Sequence, residues 1–305
     1  PLHTSSHLFT PLHTSSHLAL LDVHLVAHEH LEDGAVLVAE SRLTAGQIIL
    51  ADVPDRSPVD PFLPPPPELL VELYRDKYIL AVDKPPGLLC HPMGTTRLSA
   101  LSLAQDQLQR AGQPTELRPL HRLDRETSGV LLMARTREAD VAIKALFENR
   151  AVYKRYLALV QGHPTFENEL VDEPIVRDDG PIRVRMRVHS RGKSARTQFR
   201  VLERFGDEQK FSWVEAIPFS GRTHQIRVHL AHIGHPLVGD KLYIDEGRGF
   251  LRRWDGRLDQ ADIESLGMNR QALHAWSTSL QHPAQNSRLT LHAPVPEDML
   301  HFAQS

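Results

Sequence analysis

With 305 residues, 41% of them apolar, the chain holds enough material for one large packed domain or two, and no run approaches the roughly 18 apolar residues of a membrane helix. The start lacks the charged n-region and apolar h-region of a secretory signal, so a soluble cytoplasmic protein is expected, and a lone cysteine, Cys90, excludes an internal disulfide or a multi-cysteine zinc site. The net charge of −3 argues against a nucleic-acid partner only until it is divided: residues 1–72 carry Arg42 and Arg56 against ten acidic residues, a balance of −8, which leaves +5 for the rest.

At the N-terminus, Leu2-His3-Thr4-Ser5-Ser6-His7-Leu8 recurs unchanged as Leu12-His13-Thr14-Ser15-Ser16-His17-Leu18. One repeat of this length cannot stack into a solenoid. Its His-x-x-x-His spacing could put two imidazoles on one helical face, but no glutamate lies between them and Thr and Ser are poor helix formers. A mobile terminus is therefore expected rather than a metal site. Residues 34–39 and 47–51 read as short strands, with Gly46 turning between them. The acids Glu29, Glu32, Asp33, Glu40 and Asp52 would repel phosphate, so residues 1–53 read as an acidic leader. Seven prolines between Pro54 and Pro67 make residues 54–72 a stiff extended linker, and residues 73–305 the main domain.

That domain opens on Tyr78–Val82, an apolar run typical of a central strand. Residues 99–111 read as a helix with Leu101, Ala104, Leu108 and Ala111 on one face, and Val130–Ala134 as a buried strand. Arg137–Arg150 is a second helix, with Val141, Ala145 and Leu146 turned inward. A strand bearing Tyr153 and Tyr156 follows, the two rings on opposite faces because they stand three apart. From 182 to 204 the chain is at its most basic. Arg183, Arg185 and Arg187 alternate with Val184, Met186 and Val188, a period of two that gives one cationic and one apolar strand face. Phe211–Ile217 is a further strand, Thr223–Ile233 a helix closing at Gly234, and Arg288–Pro294 a final strand. Strands and helices alternate without a repeated βαβ cadence, which points to an α+β fold.

The chemistry concentrates in His121-Arg122-Leu123-Asp124-Arg125-Glu126-Thr127-Ser128-Gly129, where one carboxylate sits between two arginines and the segment closes on a glycine that permits a sharp turn. Nearby cations favour the charged form, so Asp124 should be ionised at neutral pH and suited to nucleophilic or electrostatic work. By chemistry alone the structural reading is the stronger one: a loop Asp that caps a helix or pairs with arginines.

Resemblance changes that balance. The nonapeptide resembles the signature of the RluA family of RNA pseudouridine synthases. Upstream, Asp83-Lys84-Pro85-Pro86-Gly87-Leu88-Leu89-Cys90-His91-Pro92 resembles the family's first motif, and Lys154-Arg155-Tyr156-Leu157-Ala158-Leu159-Val160-Gln161-Gly162 its tyrosine motif. Gly221-Arg222-Thr223-His224-Gln225-Ile226-Arg227-Val228-His229-Leu230 resembles the third motif, continued by His235-Pro236-Leu237-Val238-Gly239-Asp240-Lys241-Leu242-Tyr243.

The resemblance implies the pseudouridine synthase fold: a mixed, largely antiparallel sheet with flanking helices and a central RNA-binding cleft. It implies isomerisation of specific uridines to pseudouridine in ribosomal or transfer RNA, the base flipped into the cleft, without cofactor or metal. Asp124 would be the catalytic carboxylate. Arg227 would hold it charged and in place through a paired geometry unavailable to lysine, and Tyr156 would hold the detached uracil and help remove its C5 proton. Arg122 and Arg125 would hold phosphates or fill the vacated space. Arg222 and His121 would also contact substrate, and Ile226 would wall the base. In a chain with these motifs the basic strand face is read as a phosphate-contacting edge. The leader, where many members carry a small RNA-binding module, is at most a worn version of one. A monomer with structured RNA as partner, and neither membrane nor DNA, is expected. Cys90 is read as core filler, and His224, His229, His232 and His235 as ordinary interior or surface histidines. Two other classes stay in view. One is a catalytically silent RNA-binding relative. The other is an aspartate-nucleophile hydrolase or phosphotransferase, which needs a magnesium-binding carboxylate cluster or a phosphate-cradling glycine loop, and the sequence offers neither.

Overall fold

The computed structural model describes residues 29–31, 36–37, 49–50, 62–94, 96–207 and 210–304, in two compact units divided after Arg56. In the first unit, β1 (Glu29–Leu31), β2 (Val36–Leu37) and β3 (Ile49–Leu50) form a small antiparallel sheet in the order β2-β1-β3. β2 and β3 fall inside the two expected segments, but each pairs with β1 and not with the other across Gly46. The repeated heptapeptide lies outside the described residues.

The second unit begins with β4 (Val71–Arg75), whose first two residues the sequence pattern left in the linker, and β5 (Ile79–Lys84). Then come α1 (Ala100–Arg110), β6 (Arg118–Pro119), β7 (Ser128–Ala134), α2 (Arg137–Glu148) and β8 (Tyr153–Gln161). β9 (Asn168–Asp172) is followed by the paired ribbon β10 (Ile175–Arg177) and β11 (Met186–Val188), then β12 (Arg196–Phe205), β13 (Phe211–Pro218) and α3 (Gln225–His232). The chain ends with α4 (Arg248–Trp254), α5 (Gln260–Leu266), β14 (Leu273–Gln281), β15 (Arg288–His292) and α6 (Glu297–Gln304). One ten-stranded sheet runs β4-β5-β7-β14-β8-β13-β12-β9, with β15 on β14 and β6 on β7. Only the β7–β14 pairing in it is parallel. The fold is α+β, mixed and largely antiparallel.

β5 and β7 read as unbroken apolar runs because both of their faces are covered. Leu80, Val82, Leu131 and Met133 pack with Ala104 and Leu108 of α1. Their alternates Ile79, Ala81, Val130 and Leu132 pack with Ala139 and Ile143 of α2. Each such Leu or Ile, taken fully out of water, contributes about 1.5–3 kcal/mol. Ser99 starts α1 through a capping box with Ser102, and Thr136 starts α2 by accepting from Ala139 N. The buried face of α2 is not the expected one. Ala139 and Ile143 point inward and Leu146 packs beside them, whereas Val141 is 64% exposed and Ala145 is exposed. Val141 lies two residues from Ile143, about 200° around the helix, so the two cannot share a face.

β14 sits at the centre of the sheet and went unrecognised in the sequence. It buries the polar His274, Ser277, Thr278 and Ser279 beside the apolar Leu273, Ala275 and Leu280. His274 Nδ1 meets Ser128 Oγ at 2.9 Å and Ser279 Oγ meets Thr290 Oγ1 at 2.8 Å, so the usual apolar alternation is missing. Gly129, expected as a turn residue, lies inside β7 with φ +109°; a Cβ there would stand 2.3 Å from Ala275 O of β14. Only glycine allows the two backbones to come this close.

Candidate active site

The antiparallel pairing of β8 and β13 runs from Phe211↔Gln161 to Ala216↔Tyr156 and stops there. Beyond it the first half of β8 stays with β14, while the chain after Ile217 turns toward α3. A cavity of about 380 Å³ opens in the gap, lined by residues 217–227 on one side and 152–154 and 156 on the other. Asp124, Tyr156, Ile226 and Arg227 also line it.

Asp124 is held on a clasped loop. Thr127 N donates to Asp124 O at 3.1 Å, which closes the turn. The first-motif turn grips the next residue: Gly87 N donates to Arg125 O, and Arg125 Nε to Gly87 O, both at 2.9 Å. The buried Lys84 ammonium donates to Pro85 O, Leu88 O and Arg125 O at 2.8, 2.8 and 3.0 Å, locking both loops together. Burial pushes its pKa down to about 8, so it remains largely charged at pH 7. Cys90 is buried as expected, and its Sγ also meets both the N and O of Leu123, at 3.1 and 3.2 Å. Arg125 therefore serves the clasp and does not line the cavity, whereas Arg122 does.

Arg227, only 7% exposed, is shared between two carboxylates. Its Nη1 donates to Asp124 Oδ2 at 2.8 Å, while Nε and Nη2 fork onto Asp240 at 2.8 and 2.9 Å. Asp240 is fully buried and also accepts from the backbone N of Leu242 and Tyr243. Burial alone would raise the Asp124 pKa. The charges of His224 and Arg227, with hydrogen bonds from Arg227 and Gln271, overcome it and hold the group at about 2. His224 itself is neutral above about pH 4, because burial and Arg227 disfavour its cation, so at neutral pH the positive charge beside Asp124 is that of Arg227. Tyr156 is pushed the other way: burial first, then the Asp124 and Cys90 charges, raise its hydroxyl well above the ordinary phenol range. Its surroundings oppose the phenolate, and the resting side chain offers a ring face and an O–H.

His224 belongs to this site, contrary to the ordinary role read from sequence. It occupies the left-handed region at φ +56°, an uncommon conformation for a residue with a side chain. Tyr243 Oη accepts from Met186 N at 3.0 Å and lies 3.0 Å from His224 Nδ1. If the phenol donates its own proton to Nδ1, the remaining ring proton sits on Nε2, which faces Asp124 Oδ2 at 3.9 Å. Asp240 and Tyr243 were quoted only as a continuation of the third motif. The signal for them was Arg227 itself, since a guanidinium this deeply buried needs carboxylate and aromatic cover. His229 and His235 do play interior roles, against Thr197 and Gln161 O. His121 lines the cavity with its ring stacked on Phe147, but Nε2 accepts from Leu132 N at 3.0 Å, and burial, then Lys154, keep the imidazole neutral down to about pH 3.

The rim carries Arg122, Arg150, Lys154 and Arg222, and among the described residues none of these forms an ion pair with a carboxylate. In the basic stretch 182–204 only some of the cations are paired. Only Met186–Val188 of the expected alternating segment is strand, Val184 is exposed, and Arg185 and Arg187 pair with Asp178. Arg200 pairs with Glu215 and Arg204 with Glu167. Among the described residues no cluster of His, Cys, Asp and Glu has the spacing to hold a metal ion, and no helix is long and apolar enough to cross a membrane.

Residues 78–232 match the family model described as RNA pseudouridylate synthase. The chain is 38% identical over 234 residues to the Ribosomal large subunit pseudouridine synthase D of Xanthomonas campestris pv. campestris, covering 74% of this chain and 66% of that one. It is 35% identical over 269 residues to the Ribosomal large subunit pseudouridine synthase C of Vibrio cholerae serotype O1, covering 84% and 78%. The match thus spans just under two thirds of the first relative's length. Among solved structures, Human RNA Pseudouridylate Synthase Domain Containing 4 superposes with a TM-score of 0.60 at 27% identity, over 77% of this chain and 92% of that one. Human RNA Pseudouridylate Synthase Domain Containing 1 gives 0.58 at 29%, over 76% and 86%. The chain belongs to the RNA pseudouridine synthases, in the RluA family that its four motifs resemble.

Proposed function

We propose that this protein is an isomerase that converts specific uridines of large-subunit ribosomal RNA to pseudouridine. The observation that carries the reading is an ionised Asp124, fixed by Arg227, on the wall of a nucleotide-scale cavity whose rim is cationic. Transfer RNA is the less favoured substrate, because the similar proteins named above act on the large ribosomal subunit.

In this reaction the N1–C1′ bond breaks, the uracil turns, a C5–C1′ bond forms, and the C5 proton leaves while N1 gains one. As the base departs, positive charge develops on the ribose, and Asp124 stabilises or captures it. Arg227 keeps the carboxylate ionised and aimed. The Tyr156 ring and Ile226 hold the detached uracil. Because Tyr156 is held as the phenol, its hydroxyl can take part in removing the C5 proton only once the bound substrate has changed its surroundings. The uridine is extruded at a cost of a few kcal/mol, and Arg122 and Arg222 meet the adjoining phosphates. His121 contributes its stacked ring as cavity wall. The protein works in the cytoplasm as a monomer, residues 73–305 carrying the catalysis.

The test is pseudouridine mapping of total RNA from cells with the protein, without it, and with Asp124→Ala alone. Loss of the same few uridine modifications in both altered strains is the expected result, and it would name the substrate. An unchanged map would sink the proposal.

A further inference from the structure

A soluble domain rarely spends large aromatic rings on water without a use for them. Two stand on the lips of this cavity. Phe219 is 38% exposed and Tyr153 is 44% exposed, and both line the opening. Phe219 lies three residues beyond Ala216 and Tyr153 three before Tyr156, the last pair of the β8–β13 register, so the two come from the two segments that line opposite sides of the opening. Neither is a loose end. Phe219 N donates to Arg196 O at 2.9 Å, and Tyr153 is paired with Ser279 of β14. The side chain of the buried Gln225 pins the turn after Phe219, accepting from Ser220 Oγ and Arg222 N and donating to Arg196 O and Thr197 Oγ1, at 2.7 to 3.1 Å.

The Phe219 ring is backed on one side by the Arg196 guanidinium, 4.7 Å from its centroid, and Arg196 forms no carboxylate pair among the described residues. The result is a rigid aromatic face beside a cationic rim. That combination suits nucleobases: any base can stack on it, and the backbone that carries the base is drawn to the cations. Extruding a uridine strips one stacking contact from each of its neighbours, and an aromatic on each lip offers a replacement.

We propose that Phe219, backed by Arg196, and Tyr153 are stacking platforms for the two nucleotides that flank the extruded uridine. This rests on the pseudouridine synthase reading and assigns the residues outside the chemistry that hold the RNA open.

The test uses the purified full chain and an unmodified large-subunit ribosomal RNA transcript labelled with tritium at uridine C5, whose release reports turnover. The wild type first maps the reactive uridine. Phe219→Ala is expected to raise KM about tenfold with kcat nearly unchanged, and Phe219→Trp to restore it, consistent with the stacking contribution of a single base. Phe219→Leu, apolar but without a π face, should behave like the alanine variant; full recovery by Leu would reduce Phe219 to packing and overturn the idea. Oligonucleotides carrying an abasic residue at either neighbour complete a double-mutant cycle. The abasic site facing Phe219 should cost the wild type about as much as Phe219→Ala does and cost that variant nothing further. Tyr153→Ala should show the same relation to the other neighbour. Multiplying costs, or an unchanged KM, would overturn the inference while leaving the synthase intact. A wild type that converts no uridine would remove both.

Discussion

The rim of the cavity and the stretch from β10 to β12 are both rich in basic residues, yet they differ in how far carboxylates answer them. In the stretch, Arg185 and Arg187 are answered by Asp178, Arg204 by Glu167, and Arg200 by the nearly buried Glu215, which also holds Arg155 of β8, while Arg183, Arg191, Lys193 and Arg196 form no carboxylate pair among the described residues. At the rim, Arg122, Arg150, Lys154 and Arg222 come from four separate positions in the chain and meet no carboxylate among the described residues. Density of charge along a sequence therefore predicts little about where phosphate binds. What counts is which cations the fold leaves unanswered, because a paired arginine has already spent its field locally.

The largest effect is expected at the site itself. Asp124→Asn should lower turnover by on the order of a thousandfold or more, and Arg227→Lys, which keeps the charge but loses the fork, by about a hundredfold. Asp178→Asn in the ribbon should leave turnover within about twofold in the same tritium-release assay. Glu215→Gln sharpens the contrast from the other side. It frees Arg155 and Arg200, so nonspecific RNA binding should rise, while loss of a buried carboxylate shared by two guanidiniums should lower stability by roughly 2–4 kcal/mol in urea unfolding. Unchanged RNA affinity would show that unpaired charge is not what the partner reads. Next, Arg122→Ala, Lys154→Ala and Arg222→Ala should each reduce the slope of log K against log salt by about one unit, whereas Arg187→Ala or Arg204→Ala should not change it. Equal slopes in both sets would erase the distinction.

The smallest effect concerns pH. The Asp124 pKa is depressed from 3.8 to about 2, so its ionised form stabilises the fold above about pH 4, and that contribution is lost as pH falls through about 2. Between pH 5 and 7 both it and the neutral His224 keep one protonation state, and kcat should be flat there. A kcat limb with a midpoint in this range would assign an ionisation that neither group supplies.

Apolar runs made β5 and β7 legible in the sequence, since a strand covered on both faces is written largely in apolar residues. β14 was illegible for the opposite reason: several of its buried residues are polar and satisfied by hydrogen bonds with Ser128, Ala293 O and Thr290, and local pattern cannot anticipate partners that far away. The inward face of α2 was misplaced because it was drawn through Val141, whereas the more apolar Ile143, two positions on, is the one the sheet covers. At the site, Asp124, Tyr156 and Arg227 were visible through resemblance, and the structure brings them onto one cavity. Arg125 was grouped with Arg122 because the two flank Asp124, but its guanidinium turns to Gly87 O while Arg122 lines the cavity. Asp240, the Lys84 clasp and Tyr243 depend on contacts across 13, 41 and 57 residues of chain, which spacing does not encode.

The shared guanidinium has a further consequence when formal charges are counted. Had Arg227 faced Asp124 alone, the pair would be neutral, and a cationic ribose would meet a dipole. With Asp240 taking two of its donors, the three groups carry one net negative charge, and Asp124 is the carboxylate that lines the cavity, where that surplus can be felt. Asp240 never touches the opening, yet it sets the sign of the field there.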